Sequence, residues 1–220
     1  MADIKIRLFI TRHGITLENK LHILQGQIDT ELDEEGISQS KHLGIRFTDY
    51  KFDFIYCSPL LRTLHTIKLA LENMKYKTEP ILDDRLKERG FGSWEGKKKE
   101  ERVGPRPSDE ESIQSVEKRV SSFFHDLGSS LIGQIPLKLD ESQKHIPNIL
   151  LVSHGATISC MERLLANLGA ITIHEDRPLY NTCVSEYEIL LDKKGVMKGA
   201  KCYVSRDVSH LGGFVLKWHK

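Results

Sequence analysis

Three short runs in this chain set a cationic or nucleophilic side chain beside a glycine or a helix start: Arg12-His13-Gly14, Ser58-Pro59-Leu60-Leu61-Arg62-Thr63 and Ser153-His154-Gly155. A phosphoryl group in transfer needs positive charge around its equatorial oxygens, a nucleophile in line, and a proton for the leaving oxygen. Arg12 is a permanent forked cation matched to a phosphate face. His13 can attack phosphorus as a neutral imidazole if its other ring nitrogen is held as a donor by a backbone carbonyl. Gly14 lets the backbone approach closely and turn sharply. Asn19, reached through Thr16, completes the candidate set of phosphate hydrogen bonds on that side. Arg62 falls in the first turn of an expected helix, where backbone amides and the helix dipole favour an anion. His154 supplies a second imidazole, and Glu88 a carboxylate in the glycine-rich stretch 86–96. On composition alone, Arg62 also fits an exposed helix arginine, and Glu95 is a rival acid.

These residues need elements to position them. Residues 4–10 are β-rich with partial alternation and read as a first strand ending at Thr11-Arg12-His13. Asp33 caps an expected helix over 34–47, with Ile37, Leu43 and Phe47 on its apolar side. Residues 52–57 read as a buried strand, after which Ser58 as N-cap and Pro59 in the first turn open a helix over 60–74. Segment 86–96 is a loop, and the charged, proline-containing 97–111 is a surface excursion or lid. Val116, Val120, Phe123, Phe124 and Leu127 mark an amphipathic helix over 112–127, followed by a surface connection over 128–147. A strand over 148–152 leads through Ser153-His154-Gly155 into a helix to 168, with further strands at 184–190 and 201–204.

Strands alternating with helices predict a three-layer α/β/α sandwich with a mostly parallel central sheet, as one domain over 1–220. In such folds ligands sit beyond the carboxyl ends of the strands. Both His-Gly pairs fall at predicted strand ends.

Composition removes several alternatives. The chain has 220 residues and a net charge of +1, from 32 basic against 31 acidic side chains, so bulk attraction to nucleic acid or membrane is not expected. No signal-peptide core precedes the first strand and no apolar run is long enough to span a bilayer, which predicts a cytoplasmic protein. Cys57, Cys160, Cys183 and Cys202 form no CxxC pair and read as reduced thiols, not a zinc site. Four residues separate Cys57 from Arg62, one too few for a cysteine-phosphatase loop. Lys97-Lys98-Lys99 reads as a solvated charge run in preference to a second phosphate site, and His210-Leu211-Gly212-Gly213 as a surface turn in preference to a cover over the pocket mouth. The expected partner is a small phosphate ester, with no cofactor and no metal.

Together, Arg12-His13-Gly14-x-Thr16-x-x-Asn19, Ser58-x-x-x-Arg62-Thr63, Glu88 with Gly92-x-Trp94-Glu95-Gly96, and Ser153-His154-Gly155 resemble the histidine phosphatase superfamily, also called phosphoglycerate-mutase-like. The match follows the family's order along most of the chain. It implies that His13 becomes a phosphohistidine while Arg12, Arg62 and His154 hold the transferring group, and that Glu88 protonates the leaving oxygen and then activates water. It also adds Gln25 and Gly26 to the residues near the pocket. Ile15 departs from the pattern, standing where the family usually has Glu or Gln. Gly90-Phe91 after the Glu-Arg pair is more like the phosphatases than the glycolytic mutases, which usually carry His-Tyr there. The layout resembles fructose-2,6-bisphosphatase-like and fungal broad-specificity members, with ribazole phosphatases close in motif. The implied activity is metal-independent hydrolysis of small phosphate monoesters of the sugar phosphate or bisphosphate class. A phosphoglycerate-type mutase and a weakly active phosphate-ester-binding adaptor are the alternatives.

Overall fold

Alternation of large apolar side chains along two strands decides which helices cover which side of the sheet. The computed structural model describes residues 4–134, 146–170 and 178–214. In chain order its elements are β1 (Ile4–Arg12), α1 (Leu17–Lys20), α2 (Glu34–Arg46), β2 (Phe54–Cys57), α3 (Leu61–Asn73), β3 (Pro80–Leu82), α4 (Ile113–Gln134), β4 (Asn148–Ser153), α5 (Gly155–Asn167), β5 (Val184–Leu191) and β6 (Met197–Asp207). The strands form one sheet in the order β3-β2-β4-β1-β5-β6. Pairing is parallel from β3 through β1 and antiparallel on the β5 and β6 side.

Ile6, Leu8 and Ile10 of β1, with Ile149 and Leu151 of β4, face Val116, Val120, Phe123 and Leu127 of α4 and Ile158, Met161 and Leu165 of α5. Phe9, Leu150 and Val152 face the other way, onto Leu43 of α2 and Ile67 and Ala70 of α3, with Phe47 and Phe52 closing the layer. The period of two along each strand therefore fills two cores at once, giving the expected three layers. Among the described residues no helix is long and apolar enough to cross a membrane.

Several local expectations are corrected. Ile37 is 38% exposed, so the buried side of α2 runs through Leu43, Gly44 and Ser40 instead. Ser58 does not cap α3: the N-cap is Leu60, without a side-chain cap, and the Leu61 N–H donates to Asp29 Oδ1 at 2.8 Å. The helix expected to stop at 127 runs on to Gln134, with Leu131 extending its buried face. Gly128, which looks like a helix stop, lies against the turn between β5 and β6, where a Cβ would overlap the Gly195 carbonyl. Its bareness serves a close approach, not a chain reversal. The first part of the expected 128–147 connection is thus helical, and 135–145 lies outside the described residues. β3 was not anticipated, because Ile81 and Leu82 are exposed and give no burial signal.

Gly44 is where α2 meets α3 most closely, since a Cβ there would overlap the Ala70 carbonyl. Alanine favours a helix over glycine by ~1 kcal/mol, but forcing an atom into a packed contact costs about 1–3 kcal/mol. Gly44→Ala is expected to lower the thermal midpoint, by about 2–4 °C per kcal/mol lost for a chain of this size. A raised midpoint would mean the two helices separate freely.

Candidate active site

Parallel pairing of β1 with β4 sets the two His-Gly pairs side by side. Arg12 is opposite Ser153 in register, and the His13 N–H donates to the Ser153 carbonyl at 3.1 Å. The rings of His13 and His154 lie 5.3 Å apart, centroid to centroid, and both are buried. His13 Nδ1 is 2.7 Å from the Gly14 carbonyl oxygen, so Nδ1–H donates and Nε2 carries the lone pair. Burial, with Arg62 and Arg12 adding to it, pushes His13 well below the ordinary imidazole pKa. Gly14 lies so close to α2 that a Cβ would sit 2.7 Å from the Gly36 carbonyl oxygen.

Arg62 is 1% exposed, not the exposed helix arginine that composition allowed. Its Nε donates to His154 Nδ1 at 3.1 Å, Nη1 to the Ile28 carbonyl at 2.8 Å and Nη2 to the Gly26 carbonyl at 2.7 Å. Burial lowers its pKa to about 10, which leaves it a cation at neutral pH. Because His154 Nδ1 accepts from Arg62, its Nε2 is the protonated nitrogen and donates to Ser58 Oγ at 2.7 Å. Burial and the neighbouring Arg62 hold His154 neutral, well below the ordinary value. Arg12 Nη1 donates to the Leu179 carbonyl at 2.7 Å, whereas its buried Nε has no partner. An unpaired buried guanidinium N–H beside His13 is a site that an anion satisfies.

Glu88 is the carboxylate that the fold delivers to this cluster. It accepts from the N–H groups of Arg89 (2.9 Å), Ala156 (3.2 Å) and Thr157 (3.2 Å), the last two in the first turn of α5. A Cβ on Gly155 would lie 3.7 Å from Glu88 Oε2 and 3.9 Å from Arg12 Cζ, so the carboxylate and the guanidinium flank that glycine. Glu95 is placed elsewhere: it accepts from the N–H groups of Gln27 and Phe91 and braces two loops against each other.

The remaining candidates divide into two groups. Thr16 caps α1 and exchanges hydrogen bonds with Asn19 in a capping box, which fixes both close behind His13. Gln25 and Gly26 belong to the loop whose carbonyls at Gly26 and Ile28 meet Arg62. Gln25 Oε1 accepts from Thr30 Oγ1 at 2.6 Å, and Gly26, at φ +52°, turns its carbonyl onto the Arg62 guanidinium. Ile15 is buried, and its N–H donates to Gln39 Oε1 at 2.9 Å. Lys97 and Lys98 are exposed, as expected of a solvated run, while the Lys97 carbonyl accepts from Leu24 N–H. The 209–214 turn is corrected from a plain surface turn: Leu211 is buried, His210 Nε2 is 3.3 Å from Thr182 Oγ1, and Arg46 pairs with Asp207 beside it.

Sequence reasoning missed four contributors: Ser58 as the His154 partner, Thr66 as the acceptor for Gly14 N–H at 2.9 Å, Leu179 through its carbonyl, and Asn181, whose Nδ2 donates to the His13 carbonyl at 2.9 Å. Only Thr66, four residues beyond Arg62 on the same helix face, carried a readable signal. Among the described residues no group of three or more His, Cys, Asp or Glu is gathered to hold a metal ion.

The family model described as histidine phosphatase superfamily (branch 1) matches residues 8–198. Fructose-2,6-bisphosphatase TIGAR B of Danio rerio is 33% identical over 189 residues, covering 72% of this chain and 74% of its own. A 2,3-bisphosphoglycerate-dependent phosphoglycerate mutase of Cytophaga hutchinsonii is 28% identical over 207 residues, 86% of this chain and 91% of its own. Among solved structures, a phosphoserine phosphatase mutant from Entamoeba histolytica in complex with phosphoserine superposes with a TM-score of 0.71 at 27% identity, over 94% of this chain and 99% of that one.

The depressed histidines make a stability prediction. His13 and His154 stay neutral in the fold at pH values where a free imidazole, with pKa ~6.5, takes a proton. Below about pH 6.5 the unfolded chain therefore binds more protons than the native one, and stability falls as pH falls. Each such histidine adds a slope of up to ~1.4 kcal/mol per pH unit. Urea unfolding between about pH 5 and 6.5 should show this loss, and His13→Asn should make it shallower by about one histidine's share. An unchanged slope would mean that His13 is protonated in the native protein.

Proposed function

The chain belongs to the histidine phosphatase superfamily, and we propose that it is a metal-independent phosphatase that hydrolyses small phosphate monoesters through a phosphohistidine at His13. The observation that carries this reading is the tautomer of His13. With Nδ1–H committed to the Gly14 carbonyl, Nε2 is a neutral nucleophile in the field of the Arg62 and Arg12 guanidinium groups. Arg12 and Arg62 hold the equatorial oxygens: three of the five Arg62 N–H groups are used by the protein, which leaves two for an anion. Asn19 and Thr16 border the same phosphate. His154 acts as a fixed neighbour that keeps Arg62 oriented.

In the first step the lone pair of His13 Nε2 forms the P–N bond as the ester P–O bond breaks, and Glu88 gives its proton to the departing alcohol. In the second step Glu88 takes a proton from water, whose oxygen attacks phosphorus. The P–N electrons return to Nε2, and inorganic phosphate leaves. The substrate class is a sugar phosphate or bisphosphate, on the strength of relatives named for fructose-2,6-bisphosphate. The four cysteines are free buried thiols, which supports a cytoplasmic setting. A mutase reading has the Cytophaga relative in its favour, and dependence of turnover on a bisphosphate primer would select it.

Substrate labelled in its phosphate should mark the wild-type protein with an acid-labile, alkali-stable group that His13→Ala lacks, and EDTA should leave turnover intact. An acid-stable label, or activity lost to chelation and restored by Mg²⁺ or Zn²⁺, would overturn the mechanism.

For Glu88, single-turnover phosphoenzyme formation separates acid from base. General acid catalysis is worth ~10²–10⁴-fold, and nitrophenolate leaves without it. Glu88→Gln should therefore slow that step far more with a sugar phosphate than with nitrophenyl phosphate. Equal losses would remove Glu88 as the acid.

A further inference from the structure

Before entering β5, the chain passes through residues 178–183 against the end of β1. The Leu179 carbonyl accepts from Arg12, and the Thr182 N–H donates to the carbonyls of both Arg12 (3.1 Å) and His13 (3.3 Å). Thr182 does so at φ +54°, a region that a β-branched residue adopts only when its surroundings impose it. Between them lies Asn181, 1% exposed, whose side-chain NH2 donates to the His13 carbonyl at 2.9 Å and to Asn19 Oδ1 at 3.2 Å. Both targets are oxygens, so the amide orientation is fixed: turned over, its own oxygen would face them. The opposite end of the amide, Oδ1, is buried without a partner.

Two consequences follow from that single NH2. The peptide between His13 and Gly14 is pinned on both edges, by Asn181 and Thr182 at the His13 carbonyl and by Thr66 Oγ1 at the Gly14 N–H. This peptide leads into the Gly14 carbonyl that selects the His13 tautomer. Asn19 Oδ1, accepting from both Thr16 N–H and Asn181, is likewise used up by the protein, so the Asn19 NH2 is the end turned away from them. We propose that Asn181 is a positioning residue for this reaction, in which one buried amide sets both the nucleophile's backbone and the donor end of Asn19. The role of Asn19 towards phosphate rests on the function proposed above.

The test is a double-mutant cycle read in two ways, by single-turnover phosphoenzyme formation and by direct titration with vanadate, which needs no turnover. Asn181→Asp keeps the shape and removes the donors. It should slow phosphoenzyme formation by roughly 10–100-fold, the scale of a sub-ångström to ångström misplacement, and weaken vanadate binding. In an Asn19→Ala background the effect of Asn181→Asp on vanadate should shrink to the part that acts through the His13 carbonyl, because the Asn19 donor it positions is gone. Asn181→Ser, which retains a shorter donor, should recover part of the rate, and it carries the same cycle if the Asp variant does not fold. Wild-type rate and vanadate binding in a folded Asn181→Asp protein would overturn the proposal. So would effects of the Asn19 and Asn181 substitutions that simply multiply, as a merely structural role predicts. If wild type forms no phosphohistidine, the phosphatase mechanism fails by itself, and the vanadate cycle still decides the role of Asn181.

Discussion

A guanidinium group removed almost completely from water must have its N–H groups answered by the protein or by a ligand, and Arg62 imposes that demand on everything around it. Two of its acceptors are backbone carbonyls, Gly26 and Ile28, so the loop carrying them has to curl with its oxygens inward. Gly26 reaches that shape at φ +52°, where a side chain would also collide with Glu95. Glu95, the Gln25–Thr30 bond and the Asp29 contact with the start of α3 hold the curl in place. A glutamate and a glutamine that look chemical in the sequence thus serve as supports for a cation.

The third acceptor is His154, and here the constraint passes into chemistry. Lending Nδ1 to Arg62 commits Nε2 to donating, and Ser58 receives it. The same cation, with Arg12, makes a proton on His13 costly. The burial of His13 itself contributes most and the two guanidinium groups add to it, so the imidazole stays neutral at physiological pH. Burial lowers the pKa of both arginines, and Glu88 offsets part of that lowering, while the first turn of α5 holds the carboxylate by its amides.

The arrangement is poised for a ligand and is not optimal without one. The unpaired Arg12 Nε, the Asn181 Oδ1 and the left-handed Thr182 each cost of order 1–3 kcal/mol. These costs gather around β1's end, where the two His-Gly segments converge. A phosphate that answers the Arg12 donor recovers part of the loss on binding, which favours a site selective for that anion.

Much of this was legible in the sequence, because it is local. Partial apolar alternation located β1 and a continuous apolar run located β4, Asp33 announced α2, and Arg12-His13-Gly14 with Ser153-His154-Gly155 marked the two strand ends that meet. The Gly14 carbonyl as partner of His13 needed only the neighbouring residue. What the sequence left open involved partners far apart along the chain. Glu88 and Glu95 are equal as acids in one loop, and only the packing of that loop on the first turn of α5 separates them. Ser58 read as a helix cap because its local pattern fits one, yet its hydroxyl is taken by a histidine 96 residues away. Asn181 carries no local pattern at all and meets His13 across 168 residues. Periodicity and capping are set by neighbours within a few residues and so appear in the sequence. The pairing of buried polar groups is set by strand order and loop docking, and it exists only once the sheet has brought those segments together.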